Sequence, residues 1–192
     1  MSHKQAVVAM KQFLEALGID LQAQNMEKTP ERVTSLFEDL FSGQGVKASQ
    51  LVRHAFSSGY EGLVAVKDIP FYSICEHHLM PFFGTVDIVY CPRKGQVTGL
   101  SRLRDLVMTL SKRPQLQERM TQQIAEALME GTQAEGVIVR VQSYQLCMMM
   151  RGEVMPTTQT VTIESKGCLK KTGSLRQEAL LAIEKGEARS NG

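Results

Sequence analysis

The spacing of apolar residues changes several times along the chain, and each change marks an element. Over residues 4–17, Val7, Val8, Phe13, Leu14 and Leu17 recur at loosely helical intervals. A polar connector at 25–28 precedes Thr29-Pro30, a pair suited to the N-cap and first position of a helix. Val33, Leu36, Phe37, Leu40 and Phe41 then share one helical face, and Gly43 stops the run. A third, short helix is expected at 48–56. Beyond Gly62 the texture becomes strand-like. Residues 63–69 and 85–91 read as strands, Arg93-Lys94-Gly95 as a turn, and a short strand reaches Thr98. Two helices follow, at 101–111 and 115–130, with Pro114 between them. In the second, Leu116, Met120, Ile124, Ala127 and Leu128 fall on one face. Gly136 starts a strand predicted to run through Met150, another strand covers 158–164, and a last helix covers 174–185.

Strands and helices are grouped, not strictly alternating. That order predicts an α+β domain over 61–192, with an antiparallel sheet carrying helices on one face, behind an N-terminal helical region at 1–60. At 192 residues and 43% hydrophobic content, the chain can bury one substantial core. No apolar run is long enough to span a membrane, and the N-terminus reads as an amphipathic helix, not a signal peptide. A net charge of +2 with scattered Lys and Arg gives no reason to expect a nucleic-acid partner. These features place the protein in the cytoplasm, where the four cysteines are expected to serve metal or redox chemistry and not disulfides. The eleven methionines, including Met148-Met149-Met150, read as soft core filling.

Cys75-Glu76-His77-His78 carries the strongest chemical signal. Cys75 and His78, three apart, can converge on one ion from a loop, and thiolate with imidazole suits zinc. No second Cys-x2-Cys or Cys-x2-His pair exists to complete a four-ligand structural site. Three protein ligands with one open position describe a catalytic zinc instead. The third ligand is to be found among the remaining cysteines. On the long predicted strand, Val139, Val141, Ser143, Gln145, Cys147 and Met149 share a face that turns polar near its end, which favours Cys147. Cys91, closing a strand before Pro92, is an alternative, and Cys168 is a weaker one. Should no metal bind, Cys75 is a buried thiol and the histidines are polar loop residues. If His78 is a ligand, its neighbour His77 is left for proton transfer. Glu76 is either a solvated loop charge or a group that orients a ligand. Gln117-Glu118-Arg119 opens a helix, where an acidic residue is expected from the helix dipole alone. Arg151 can hold an anion or lie on the surface.

Several of these stretches together resemble the GTP cyclohydrolase I family. They are Thr29-Pro30-Glu31-Arg32, the run from Ser73 through Cys75-Glu76-His77-His78 to Pro81-Phe82-Phe83-Gly84, Gly99-Leu100-Ser101, Gln115 to Thr121, and Cys147-Met148-Met149-Met150-Arg151-Gly152. The resemblance implies a tunnelling fold whose subunits form pentameric rings stacked as a decamer, with active sites between subunits. It implies Zn2+ held by Cys75, His78 and Cys147, and GTP as substrate. Water attacks C8 of the guanine, formate leaves, and the ribose recloses to give 7,8-dihydroneopterin triphosphate for pterin and tetrahydrofolate synthesis. His77 is implied to protonate the purine nitrogen, and Glu118 to accept the guanine N–H groups. Gln117, Leu100 and Ser101 would frame base and sugar, and Arg151, Arg32 and Arg102 would hold phosphate.

Three positions depart from the family pattern. Gln145 stands where the family has a second catalytic histidine. Arg102 and Asp105 stand where it has Lys and Arg. Ser35 replaces a Lys in the Thr-Pro helix. An amide cannot shuttle a proton near neutral pH, and Asp105 would repel a triphosphate unless another Arg compensates. Arg104 is expected to point elsewhere on its helix. These departures leave two further readings beside the full reaction. One is a paralogue that stops at the ring-opened formylamino-pyrimidine or takes a less phosphorylated purine. The other is a non-catalytic protein that binds purine or pterin.

Overall fold

The computed structural model describes residues 2–53, 55–152, 155 and 157–184. The chain forms two compact units, Met1–Ser42 and Gly43–Gly192. In the first, α1 (His3–Ala16) and α2 (Thr29–Leu40) lie on either side of a turn in which Asp20 accepts the backbone N–H groups of Gln22 and Ala23. Pro30 occupies the first turn of α2, where its missing N–H leaves no helical bond unmade. His3 of α1 meets Glu38 of α2 at 3.0 Å.

The second unit begins with a 3-10 turn at Ala48–Val52 and a short strand, β1 (Ala55–Ser57). The single helix expected over 48–56 is therefore a turn followed by a strand. β2 (Val64–Cys75), β3 (Pro81–Cys91) and β4 (Gln96–Thr98) follow, then α3 (Leu100–Ser111), β5 (Pro114–Gln115) and α4 (Gln117–Thr132). β6 (Gly136–Gln145), α5 (Leu146–Met149), β7 (Thr160–Gly167) and α6 (Ser174–Ile183) complete it. β1 and β4 pair as a ribbon, while the main sheet has the order β5-β2-β3-β6-β7. It is antiparallel except for β5, which runs parallel to β2.

Alternation along the central strands sorts the core. Val86, Ile88, Tyr90, Val137, Val139 and Val141 face α3 and α4, where Leu103, Leu106, Leu110, Met120, Ile124 and Leu128 are wholly buried. Val89 and Ile138 point the other way, against Leu169, Ala179 and Ile183. The expectation of helices on one face is thus incomplete, because α6 covers part of the opposite face. This is why residues 86–90 are all buried and show no polar alternation.

Both first strands are longer than their patterns predicted. β2 runs on to Cys75 through a register shift between Val66 and Ile69. There Asp68 adopts φ 57° and donates its N–H to the buried carboxylate of Asp87 at 2.8 Å. A bulge inverts the facing of the residues beyond it, so the alternation breaks at Ile69 although the strand continues. β3 begins four residues earlier than expected, at Pro81. Gly84 shows what β3 requires of the motif glycine. A Cβ there would lie 1.9 Å from the carbonyl oxygen of Gln142 on β6. Gly84→Ala is expected to lose ~2 kcal/mol or more of stability, read from the midpoint of denaturant unfolding.

Candidate metal centre and active site

Cys75 is the last residue of β2, and the chain turns back into β3 within five residues. Its N–H donates to the Met80 carbonyl, and Leu79 donates to the Cys75 carbonyl, each at 2.9 Å. Leu79 takes a left-handed conformation to close the turn, with φ 52°. β5 then brings a second element alongside. Cys75 pairs with Gln115, and the Glu76 N–H donates to the Gln115 carbonyl at 3.1 Å. Two residues later α4 begins, so its first turn stands beside the loop.

The third side chain arrives from β6, where Gln145 pairs with Phe82 near the start of β3. The strand predicted to reach Met150 ends there. Residues 146–149 form one helical turn, and Cys147 projects from that turn and not from a strand face. The donor atoms of Cys75, His78 and Cys147 all lie within 4.8 Å of one another, with both cysteines buried and His78 exposed. Ligands of tetrahedral zinc stand about 3.8 Å apart when Zn–S is about 2.3 Å, so the set fits such an ion with small adjustments. Arg151 places Nη1 3.3 Å from His78 Nε2.

The other cysteines lie elsewhere. Cys91 closes the far end of β3, roughly 30 Å along the strand from Pro81. Burial pushes its thiol up to about 11, with Cys168 and Glu135 adding to the effect. At that distance from the Cys75–His78 loop it cannot complete the set. Cys168 sits beside it, over Gly136.

The three donors open onto a cavity of about 400 Å³ also lined by His77, Gln117, Glu118, Gln145 and Met148. A larger cavity of about 560 Å³ beside α6 is walled mainly by Ile163, Leu180, Leu181 and Ile183 and carries no cysteine or histidine. Size therefore ranks the two spaces opposite to their chemistry. Met148 is one-third exposed and Met150 mostly exposed, so the methionine run does not fill the core as expected. The helical turn at Leu146–Met149 swings it outward.

Glu118 is exposed on the first turn of α4, and its carboxylate engages no described neighbour. The adjoining Arg119 reaches back to Glu76 with two bonds, at 2.5 and 2.9 Å. The Arg119 hydrogen bond holds the Glu76 carboxyl below its ordinary range. This fork staples the Cys75–His78 loop to α4, and Glu76 orients that loop. Arg119→Met is expected to weaken metal affinity about tenfold or more, measured by chelator competition.

Gln117 is buried, and its amide is fully engaged. Nε2 donates to the Val141 and Thr160 carbonyls and to Thr162, and Oε1 accepts from Ser143 and Gln145. It lines the cavity but has no donor left for a ligand. Ser143 lay on the predicted polar face, but only the packing of α4 against β6 gives it a role. Leu100, Ser101 and Arg102 stand exposed at the start of α3, outside the cavity lining. Arg32 is on α2 of the first unit. Arg104 does not point away as expected, since it pairs with Asp105 at 3.0 Å.

The family model of GTP cyclohydrolase I matches residues 6–184. The chain belongs to the GTP cyclohydrolase I family. Among curated relatives, GTP cyclohydrolase 1 of Carboxydothermus hydrogenoformans is 43% identical over 92% of each chain. The enzyme of that name from Desulforamulus reducens is 45% identical over 92% of this chain and 95% of its own. That from Streptococcus agalactiae is 44% identical over 93% and 95%. Among solved structures, the archaeosine synthase QueF-Like in the apo form aligns with 22% identity and a TM-score of 0.46, covering 56% of this chain and 96% of its own. Within a GTP cyclohydrolase I framework, then, this chain brings together Cys75, His77, His78, Gln117, Glu118, Gln145 and Cys147 at one cavity.

Proposed function

We propose that this chain is a zinc-dependent GTP cyclohydrolase I that opens the imidazole ring of GTP and yields 7,8-dihydroneopterin triphosphate and formate. The observation that supports it is the convergence of two thiols and an imidazole with His77 and Glu118 around a single cavity. When bound, zinc supplies a Lewis acid and lowers the pKa of a coordinated water toward about 7. Cys75, His78 and Cys147 would hold it. His77, adjacent but outside the donor set, gives a proton to the purine nitrogen next to C8 as charge develops there. Glu118, with no partner among the described residues, accepts the guanine N–H groups and so rejects adenine, which presents a different pattern. Arg151, beside His78, attracts the triphosphate.

Leu100, Ser101, Arg102 and Arg32 complete the nucleotide site from a neighbouring copy in this reading. The exposure of Leu100, at 64%, favours a covered role in a ring of the tunnelling-fold type, stacked as a decamer. Thiol ligands need a reducing compartment, which agrees with a cytoplasmic enzyme.

Gln145 favours a second reading, in which the reaction stops at the ring-opened formylamino-pyrimidine, because its carboxamide carries no proton to later steps. Zinc-loaded protein incubated with GTP, GDP, GMP and guanosine separates the readings by product mass. Dihydroneopterin triphosphate from GTP is the expected product. A formylamino-pyrimidine, or turnover of a less phosphorylated purine alone, would contradict it, and so would retained binding without turnover. Gln145→His is expected to raise complete turnover if proton transfer limits the rate, and an unchanged rate counts against that limitation.

A further inference from the structure

Building on the nucleotide reading of the cavity, we infer that Gln145 is a hydrogen-bond acceptor of fixed direction that takes a donor group of the bound nucleotide, with Ser143 and Gln117 as its positioning residues. The direction follows from bonds whose polarity allows no choice. The carbonyl oxygens of Val141 and Thr160 lie 3.1 and 3.0 Å from one end of the Gln117 amide. Carbonyls only accept, so that end is Nε2. The other end is Oε1, and Ser143 must donate its hydroxyl proton to it across 2.6 Å. With that proton committed, the Ser143 oxygen can only accept from Gln145, at 2.9 Å. Gln117 Oε1 also only accepts from Gln145, again at 2.9 Å.

Two acceptors therefore face Gln145 Nε2, and because they lie only 2.6 Å from each other they share one of its hydrogens. A flipped amide would set oxygen against both and lose both bonds. Gln145 Oε1 is left with no partner among the described residues, on a side chain that lines the cavity. A carboxamide does not ionise near neutral pH, so this position offers a permanent acceptor and no proton transfer. The group it selects is a donor, either a ribose hydroxyl or a ring N–H.

The test is a double-mutant cycle on GTP binding to the zinc-loaded protein, read by rapid filtration at 4 °C apart from turnover. Gln145→Met is expected to weaken binding about fivefold. Ser143→Ala is expected to weaken it about threefold beside Gln145 and to have no further effect in the Gln145→Met background, while Ser143→Thr restores it. Equal losses from Ser143→Ala in both backgrounds would overturn the inference. With 2′-deoxy-GTP and 3′-deoxy-GTP, the analogue lacking the partner hydroxyl binds equally well with and without Gln145→Met. Sensitivity to both identifies a ring N–H instead. A second measurement needs no ligand. In protein carrying 15N-labelled glutamine, one Gln145 side-chain hydrogen should exchange more slowly than the other, and Ser143→Ala should narrow the difference. Rapid exchange of both overturns the geometry even if GTP is not the substrate. Failure to make any product from GTP, with the cycle still coupled, sinks the proposed reaction and leaves the acceptor standing.

Discussion

Exchanging Cys147 for serine is expected to abolish metal retention and GTP turnover together, while the chain stays folded. The reason lies in how the third ligand is delivered. Cys75 and His78 come from one tight turn, but Cys147 comes from the helical turn after β6, brought alongside them by the pairing of β3 with β6 that ends at Phe82–Gln145. Serine matches cysteine closely in size, and Cys147 is buried, so packing is little changed. A neutral hydroxyl is a far poorer zinc ligand than thiolate. Loss of even an outer partner costs 10- to 100-fold in metal affinity, and loss of a ligand should exceed about 100-fold. The control is Cys91→Ser, which removes a thiol at the other end of β3 and should leave metal content and turnover intact. Metal analysis after dialysis, with a thermal melt of each variant, decides the matter. Full metal retention by Cys147→Ser would overturn the assigned ligand set.

Glu118→Gln should reduce kcat/KM for GTP by roughly 10²- to 10³-fold, with far less change for a purine lacking the guanine N–H pattern. A carboxylate offers only acceptors, and the guanine edge it is proposed to meet offers donors. The amide keeps the shape but turns one acceptor into a donor and removes the charge. Stability should hardly move, because Glu118 is exposed and engages no described neighbour. Steady-state kinetics on GTP and ATP measure this, and parallel losses on both substrates would show that Glu118 does not read the base.

Much of this site could be read before any coordinates. The Cys75–His78 spacing needs only a loop, and a loop three residues apart converges on an ion almost regardless of its surroundings. Glu118 could be placed on a first helical turn because helix starts have strong local signals. What failed was local in a different way. Cys147 was chosen on the grounds of strand alternation, yet the strand ends at Gln145 and a helical turn presents the thiol. The thiol nonetheless lies within 4.8 Å of the Cys75 and His78 donors. The bulge at Lys67-Asp68 hid six residues of β2, since periodicity cannot see past an inversion of facing. β5 escaped notice because Pro114 looked like a break between helices, whereas an edge strand tolerates proline. That two-residue strand is what aligns α4 with the metal loop. The bonds joining Gln117, Ser143 and Gln145 depend on elements 26 and 28 residues apart, beyond the reach of any pattern along the chain.

X-ray absorption at the zinc edge of the purified protein bears most directly on the metal centre. One zinc per chain is predicted, with two sulfur neighbours at about 2.3 Å, one nitrogen at about 2.0–2.1 Å and one further light atom from solvent. A site with three or four sulfurs, or with none, would contradict it.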